Sequence, residues 1–138
     1  MSTVRTWTPE EDAILGDLSR QLRGKGWAAN VPIERLLANW ESLASQVNDY
    51  RLTIDDFTND LTSRDGLEGA LDLCRLDSFR ERLMAAVEAS DQKYRAATEE
   101  DGGAALSKYF RVPPSAGWWW RRRPRSGPLA VFLSESAA

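Results

Sequence analysis

Apolar residues recur at helical spacing along most of the chain, and this pattern predicts a mainly α-helical fold. The clearest stripe runs from about Pro32 to Val47, where apolar side chains fall on one helical face and charged ones on the other. Such a stripe is typical of a helix that covers a hydrophobic core. Its apolar members are Ile33, Leu36, Leu37, Trp40, Leu43, Ala44 and Val47.

Capping signals indicate where further helices begin. Residues 8–11 (Thr-Pro-Glu-Glu) have the spacing of a capping box with proline at the first helical position, and residues 78–81 (Ser-Phe-Arg-Glu) have a similar box. Thr53 is the expected cap of a short helix over residues 53–61. Another helix is predicted to begin near Ser63.

Strand-like composition is confined to the C-terminal part of the chain. Tyr109–Val112 and Trp118–Arg121 are rich in aromatic residues, and residues 113–117 between them contain prolines and a glycine. We expect a small β-hairpin here, followed by a short helix over Leu129–Leu133. The predicted fold class is therefore mainly α, a compact bundle of about five helices with a small C-terminal β-hairpin.

Length and composition indicate one domain. The chain has 138 residues, of which 42% are hydrophobic and 28% charged, as in ordinary globular proteins. We expect a helical body at residues 1–101, with the hairpin and a basic tail rich in Trp and Arg at 102–138 packed on it. The net charge of −3 is unevenly distributed, because residues 111–138 carry +4 whereas the first 110 carry −7.

The absence of histidine excludes several classes of enzyme. With no histidine and one cysteine, Cys74, the chain cannot build a Ser-His-Asp or Cys-His nucleophile system, an internal disulfide or a thiolate metal cluster. Carboxylate chemistry, a hard cation on oxygen ligands and Ser–Lys chemistry remain open. The leading expectation is nevertheless no catalytic residue, no metal ligand and no cofactor.

Other compositional features concern the location and source of the protein. A single cysteine suits a reducing compartment. The first residues lack the apolar stretch of a signal peptide, and no uncharged run reaches membrane-spanning length. We expect a small, soluble, cytoplasmic protein that does not associate with membranes. Arginine outnumbers lysine by 15 to 3, which is typical of a GC-rich bacterial genome.

An acidic segment between residues 55 and 65 is one candidate for function. Asp56, Asn59 and Asp60 would share a helical face at i, i+3 and i+4. They could offer oxygen ligands to Mg²⁺ or Ca²⁺, a general base, or a solvated acidic binding face. In the alternative structural interpretation, the aspartates complement the helix dipole and Arg64 pairs with Asp60.

A second candidate is the run Trp-Trp-Trp-Arg-Arg-Arg-Pro-Arg at residues 118–125. On a strand, Trp119, Arg121 and Arg123 would share one face, opposite the side chains at 118, 120 and 122. One face would dock on the helices and the other would expose indole and guanidinium groups. An exposed face could stack on unpaired bases or anchor a protein partner. Alternatively, all three tryptophans pack on the helices and the arginines neutralise acids within the protein.

Residues 5–15 (Arg-Thr-Trp-Thr-Pro-Glu-Glu-Asp-Ala-Ile-Leu) resemble the opening of a Myb/SANT repeat, in which a WTxEED element starts the first helix. Trp27 stands 20 residues after Trp7, near the second tryptophan of such a repeat. The resemblance implies a third helix that reads DNA. The chain departs from that pattern at Pro32, in the acidic and apolar stretch that follows it, and at Trp40, only 13 residues after Trp27. Because the similarity covers about a quarter of the chain, no functional residue is carried over.

The leading hypothesis is a non-catalytic protein–protein interaction or regulatory module, such as an acidic immunity or antitoxin-like inhibitor of a basic partner. Acidic surface would steer association with such a protein partner. The alternatives are a nucleic-acid-associated protein that uses Arg121–Arg125, and a carboxylate- or metal-dependent enzyme at Asp55–Asp65. The predicted partner-binding residues are Asp55, Asp56, Asn59, Asp60, Asp65, Trp119, Arg121, Arg122 and Arg123.

Overall fold

The computed structural model describes residues 7–24, 32–50 and 53–135, and within these ranges the chain forms five α-helices and one two-stranded antiparallel sheet. The predicted fold class is confirmed. The helices are α1 (Pro9–Gly24), α2 (Ile33–Gln46), α3 (Ile54–Leu73), α4 (Asp77–Ala97) and α5 (Pro128–Glu135), and the strands are β1 (Thr98–Glu100) and β2 (Arg122–Pro124). Short 3-10 turns lie at Val47–Asp49, Leu106–Lys108 and Trp118–Arg121.

Helix α2 is central, since it packs against both α3 and α4, and α1 lies against α2 and α3. All seven apolar residues of the predicted stripe are buried. Trp40 is fully buried, and its indole N–H donates to Asp91 of α4 over 2.9 Å. The predicted capping box of α1 is confirmed, because the backbone N–H of Thr8 donates to the Glu11 carboxylate and the Glu11 N–H donates to the Thr8 hydroxyl.

The two helices predicted over residues 53–61 and from Ser63 form one helix, α3. Its start is as expected, with Thr53 in a capping box. The predicted start at Ser63 is wrong because hydroxyl groups there have other partners. Thr62 donates to the carbonyl of Thr58 within the helix, and the Ser63 hydroxyl accepts from Asn39 of α2. Ser and Thr side chains satisfied in this way do not end a helix.

Helix α4 begins before the predicted cap at Ser78. Leu76 is the N-cap residue and makes no side-chain cap, and the N–H of Arg80 donates to the Leu76 carbonyl over 2.9 Å. Ser78 therefore lies in the first turn. The buried ring of Phe79 lies with its centroid 5.5 Å from that of Trp7, two residues before α1, and so packs this turn against the start of the first helix.

The predicted strands at Tyr109–Val112 and Trp118–Arg121 are wrong. Strand β1 follows α4 directly and pairs with β2, with Glu99 opposite Arg123. These two side chains form an ion pair with an N···O distance of 2.9 Å. Opposite charges directly across a sheet favour this register.

The end of the chain returns to the helical body through α5, which contacts β2 and the turn at Val47–Asp49. The predicted helix at Leu129–Leu133 is thus confirmed, and it begins one residue earlier. Gly127 precedes it with φ of +95°, and a Cβ atom there would overlap the carbonyl of Asn48. The close approach of the backbone at residue 127 to the Asn48 carbonyl therefore requires glycine. None of the helices in the described ranges has the length and apolar character needed to cross a bilayer.

Candidate functional site

The acids at the start of α3 serve the structure of the helix itself. The Asp56 carboxylate accepts from the backbone N–H and the hydroxyl of Thr53, at 3.1 and 2.9 Å. Asp55 is exposed in the first turn, where a negative charge complements the helix dipole. Asp60 accepts from the Tyr50 hydroxyl at 2.8 Å, and burial raises the pKa of this carboxyl although the hydrogen bond lowers it.

Asp65 lies in a different environment from the rest of the acidic segment. Its carboxylate accepts from the indole N–H groups of Trp119 and Trp120, at 2.8 and 2.9 Å. Burial raises the pKa of Asp65, while the two indole donors and Arg64 act in the opposite direction. It lies nine positions after Asp56 in the helix, a rise of about 13 Å. The predicted cluster therefore divides between two parts of the molecule, and Asn59 is exposed in the first of them.

The assignment of faces in the Trp/Arg run is corrected by its conformation. Residues 118–121 form a 3-10 turn, so successive side chains do not alternate between two faces. Trp119 and Trp120 are both buried, and the turn lets both indoles reach Asp65. Trp118 is half-buried, with the guanidinium carbon of Arg95 3.9 Å from its ring centroid.

Three of the four arginines of this run bind other parts of the chain, and the fourth, Arg125, is exposed. Arg121 donates to three backbone carbonyls of the segment 113–116. Arg122 donates to the hydroxyl of Thr98 over 2.8 Å and to nearby carbonyls. Arg123 forms the cross-strand ion pair with Glu99. The guanidiniums of Arg121, Arg122 and Arg123 thus have internal roles, although their partners are carbonyls, a hydroxyl and Glu99 rather than the α3 acids.

A buried ion pair fixes α3 against α4 beside this cluster. Arg64 donates through Nε and Nη2 to the two oxygens of Asp91, both at 2.9 Å, and both side chains are less than a tenth exposed. Its remaining Nη1 donates to Glu68 at 2.8 Å. Burial disfavours the charge on Arg64, but the hydrogen bonds to the two carboxylates outweigh it and raise its pKa. The guanidinium carbon also lies 4.3 Å from the ring centroid of Trp119.

Between α3 and the aromatic residues lies a cleft of about 770 Å³, which we call the acidic–aromatic cleft. Asp65, Glu68 and Asp72 line it from α3, at i, i+3 and i+7 on one helical face. Phe110 and Trp118 contribute to the opposite wall. Within the described ranges, neither lysine nor arginine contributes to this lining.

The carboxylates of this cleft have capacity for further hydrogen bonds. The side chain of Asp72 is exposed and makes no hydrogen bond or ion pair with any residue in the described ranges. Glu68 accepts one bond from Arg64, and an ionised carboxylate has about four lone-pair sites. A negative wall facing aromatic rings is suited to holding a cation, because both attract positive charge.

Gly117 allows the Trp119 indole to lie beside Asp65. It lines the cleft before the 3-10 turn, and a Cβ atom at this position would overlap the ring of Trp119. A glycine therefore lets the backbone approach the indole closely enough for the indole to reach Asp65.

Sequence reasoning identified part of this site. Asp65 and Trp119 were among the predicted residues and lie together in the cleft. Glu68, Asp72 and Phe110 were missed. The helical spacing of the two acids after Asp65 was visible, but their aromatic counterpart comes from a distant part of the chain.

Metal binding and similarity to known proteins give no further candidate. In the portions of the chain that the structure describes, no three or more acidic or cysteine side chains are grouped so that they could hold a metal ion. No family model, curated protein or solved structure matches the chain. The Myb/SANT resemblance of residues 5–15 therefore has no support from a family match, and Trp27, on which it also depends, lies outside the described residues.

Proposed function

We propose that this protein is a non-catalytic interaction module that binds a basic segment of a partner protein in the acidic–aromatic cleft. The observation that carries the proposal is the composition of the two walls. Asp65, Glu68 and Asp72 face Phe110 and Trp118 across about 770 Å³, and the described lining contains no cation. A basic side chain in this space would meet carboxylates on one side and rings on the other.

The charge of the whole molecule supports the same kind of partner. The first 110 residues carry a net charge of −7, so a basic protein would be attracted before it reaches the cleft. An inhibitor or regulatory subunit of a basic target, as the sequence suggested, would use both effects.

The other two functions have less support. Arg121, Arg122 and Arg123 are engaged within the chain, and three carboxylates beside the aromatic wall would repel phosphate groups. For an enzyme, the acids of residues 55–65 would have to act together. Asp56 and Asp65 instead accept hydrogen bonds in separate environments.

The experiment that tests the proposal is calorimetric titration of the protein with a blocked peptide of basic residues spaced by glycine, at low ionic strength. We expect binding that weakens as salt is added, because exposed charges are screened. The double variant Glu68→Gln/Asp72→Asn should bind at least about tenfold more weakly, since two charge-assisted contacts are lost.

A matched control separates the cleft from general acidity. Glu34 and Glu81 are exposed on α2 and α4, away from the cleft lining. The variant Glu34→Gln/Glu81→Gln removes the same amount of charge and should change the affinity by less than about twofold, as expected for distant screened charges. Equal losses in the two variants, or no binding of the basic peptide at all, would contradict the proposal. Co-purification from the host with both variants then identifies the partner that depends on the cleft.

A further inference from the structure

We infer that the group recognised in the acidic–aromatic cleft is the guanidinium of an arginine side chain, an inference that rests on the function proposed above. The proposal concerns one occupant, an arginine of the basic partner. Its support comes from the two walls of the cleft and from the way the protein places its own arginines on the same rings.

The carboxylate wall matches a donor group with several N–H bonds. Glu68 and Asp72 are neighbours at i and i+4 on α3, a spacing of about 6 Å between Cβ atoms. Asp72 has no partner among the described residues. A guanidinium has five N–H donors in a planar fork, so it can bond to one carboxylate with two donors and still reach the next. An ammonium has three donors and no such fork.

The aromatic wall offers ring surface to a planar cation. Phe110 stacks on Trp120, with ring centroids 5.1 Å apart and planes within 11°. It nevertheless keeps 42% of its surface exposed, so the indole covers only part of the phenyl ring. A guanidinium is planar and weakly hydrated, and it stacks on aromatic faces more readily than an ammonium does.

The same group of aromatic residues already holds two guanidiniums. Arg64 lies over Trp119 at 4.3 Å and Arg95 lies over Trp118 at 3.9 Å, measured from the guanidinium carbon to the ring centroid. Neither arginine lines the acidic–aromatic cleft. The cleft thus presents the combination of ring and carboxylate that the protein uses for Arg64, but without a lysine or arginine among the described residues that line it.

The test compares three blocked peptides that are identical except for arginine, lysine or citrulline at the same positions. We expect the arginine peptide to bind the native protein about three- to tenfold more tightly than the lysine peptide. The citrulline peptide keeps the planar shape but lacks the charge, so it should not bind measurably. Affinities are measured by calorimetry under one set of buffer conditions.

Replacing the exposed ring checks the physical reason. In Phe110→Leu the affinities for arginine and lysine peptides should become equal within about twofold, because the carboxylates remain but the stacking surface is lost. The matched control is Tyr109→Leu, which alters the adjacent exposed ring outside the cleft lining and should keep the preference for arginine.

The outcomes separate this inference from the proposed function. Equal affinity for arginine and lysine peptides on the native protein would overturn the assignment of arginine and leave the basic-partner function standing. Binding of neither basic peptide would overturn both. An arginine preference that Phe110→Leu leaves intact would also contradict the inference, since the ring would then not be part of the recognition.

Discussion

The two halves of α3 carry equal numbers of acids but place them in different surroundings. The acids are Asp55, Asp56 and Asp60 in the first half, and Asp65, Glu68 and Asp72 in the second. In the first half they cap the helix, complement its dipole and bind a tyrosine hydroxyl. In the second half they line a cleft opposite aromatic side chains.

If the proposed function is correct, this comparison teaches that the density of acidic residues along a helix is a poor guide to its binding site. The denser group, in the first half, serves mainly the helix that contains it. The sparser group lines a cleft with residues 110–120, and in our proposal this aromatic wall turns a solvated acidic face into a binding site for a cation. The predictions that follow test this division of roles, from the largest expected effect to the smallest.

The largest loss of stability is expected on replacing Arg64, which lies at the junction of the two halves of α3. In Arg64→Met the buried Asp91 loses its counter-charge, and breaking a buried pair in this way costs roughly 3–5 kcal/mol. Urea denaturation measures the loss. The control is Arg20→Met, whose ion pair with Asp17 has both side chains more than half exposed and should contribute about 0–1 kcal/mol. A loss below about 1 kcal/mol at Arg64 would show that this pair does not hold α3 to α4.

A smaller effect is expected at Gly117. In Gly117→Ala the new methyl group overlaps the Trp119 ring, and overpacking of this kind costs about 1–3 kcal/mol. Because the Trp119 ring must shift, its hydrogen bond to Asp65 should be disturbed and binding of the basic peptide should weaken as well. Thermal denaturation and calorimetry of the same sample measure both effects. Unchanged binding in this variant would indicate that the position of the Trp119 ring does not shape the cleft.

Two substitutions in α3 should separate the effect on stability from the effect on binding of the basic peptide. Thr53→Ala removes the cap of α3 and should lower the free energy of unfolding by about 1 kcal/mol. Its affinity for the basic peptide should stay within about twofold, because the cleft lies in the other half of the helix. Asp72→Asn should do the reverse, changing stability by less than about 0.5 kcal/mol while weakening binding. Loss of binding in Thr53→Ala at temperatures where it is folded would contradict the division of α3.

The smallest effect is a pH dependence at Asp65. Burial raises the pKa of Asp65, so its negative charge is lost at a pH above the range near 4 where an ordinary aspartate titrates. Affinity for the basic peptide should therefore begin to fall above that range as the pH is lowered. In Asp65→Asn the affinity should not begin to fall until the pH reaches the range of an ordinary aspartate. Calorimetric titrations at a series of pH values measure this difference.

The free energy of unfolding should also depend on the protonation of Asp65. Unlike the affinity, this contribution should grow as the pH is lowered. A pKa that is higher in the folded than in the unfolded state means that the native protein binds the proton more tightly. The contribution of Asp65 to stability is thus present below its unfolded pKa and is lost as the pH rises through the folded value. If Asp65→Asn leaves both pH profiles unaltered, the indole-bound carboxyl is not the titrating group.

The helices whose signals are local could be predicted from the sequence. The stripe of α2 and the capping residues Thr8 and Thr53 concern residues within a few positions of one another, and the structure confirms all three. The signals at Ser63 and Ser78 were misleading because a hydroxyl can be used in several ways. At Ser63 the hydroxyl accepts a hydrogen bond from Asn39 of the neighbouring helix α2 and caps nothing.

The C-terminal part could not be predicted, because non-local contacts determine it. Aromatic content favoured strands, yet Trp119 and Trp120 both donate to Asp65, which is 54 and 55 residues away in the chain. A strand would point these two side chains in opposite directions, whereas a 3-10 turn lets both reach one carboxylate. For the same reason, the facing of Glu68 and Asp72 toward Phe110 was not evident from local patterns.

The most direct test of the central claim is a map of the binding position by ¹H–¹⁵N NMR during titration with the arginine peptide. Trp119 and Trp120 offer indole N–H groups bonded to Asp65 at one side of the cleft, and Asp56 and Asp60 mark the other half of α3. We expect the largest shifts at the two indoles and at the backbone amides of residues 65–72 and 110, with little change over residues 53–60. Shifts concentrated at residues 53–60, or spread evenly over the acidic surface, would contradict the account.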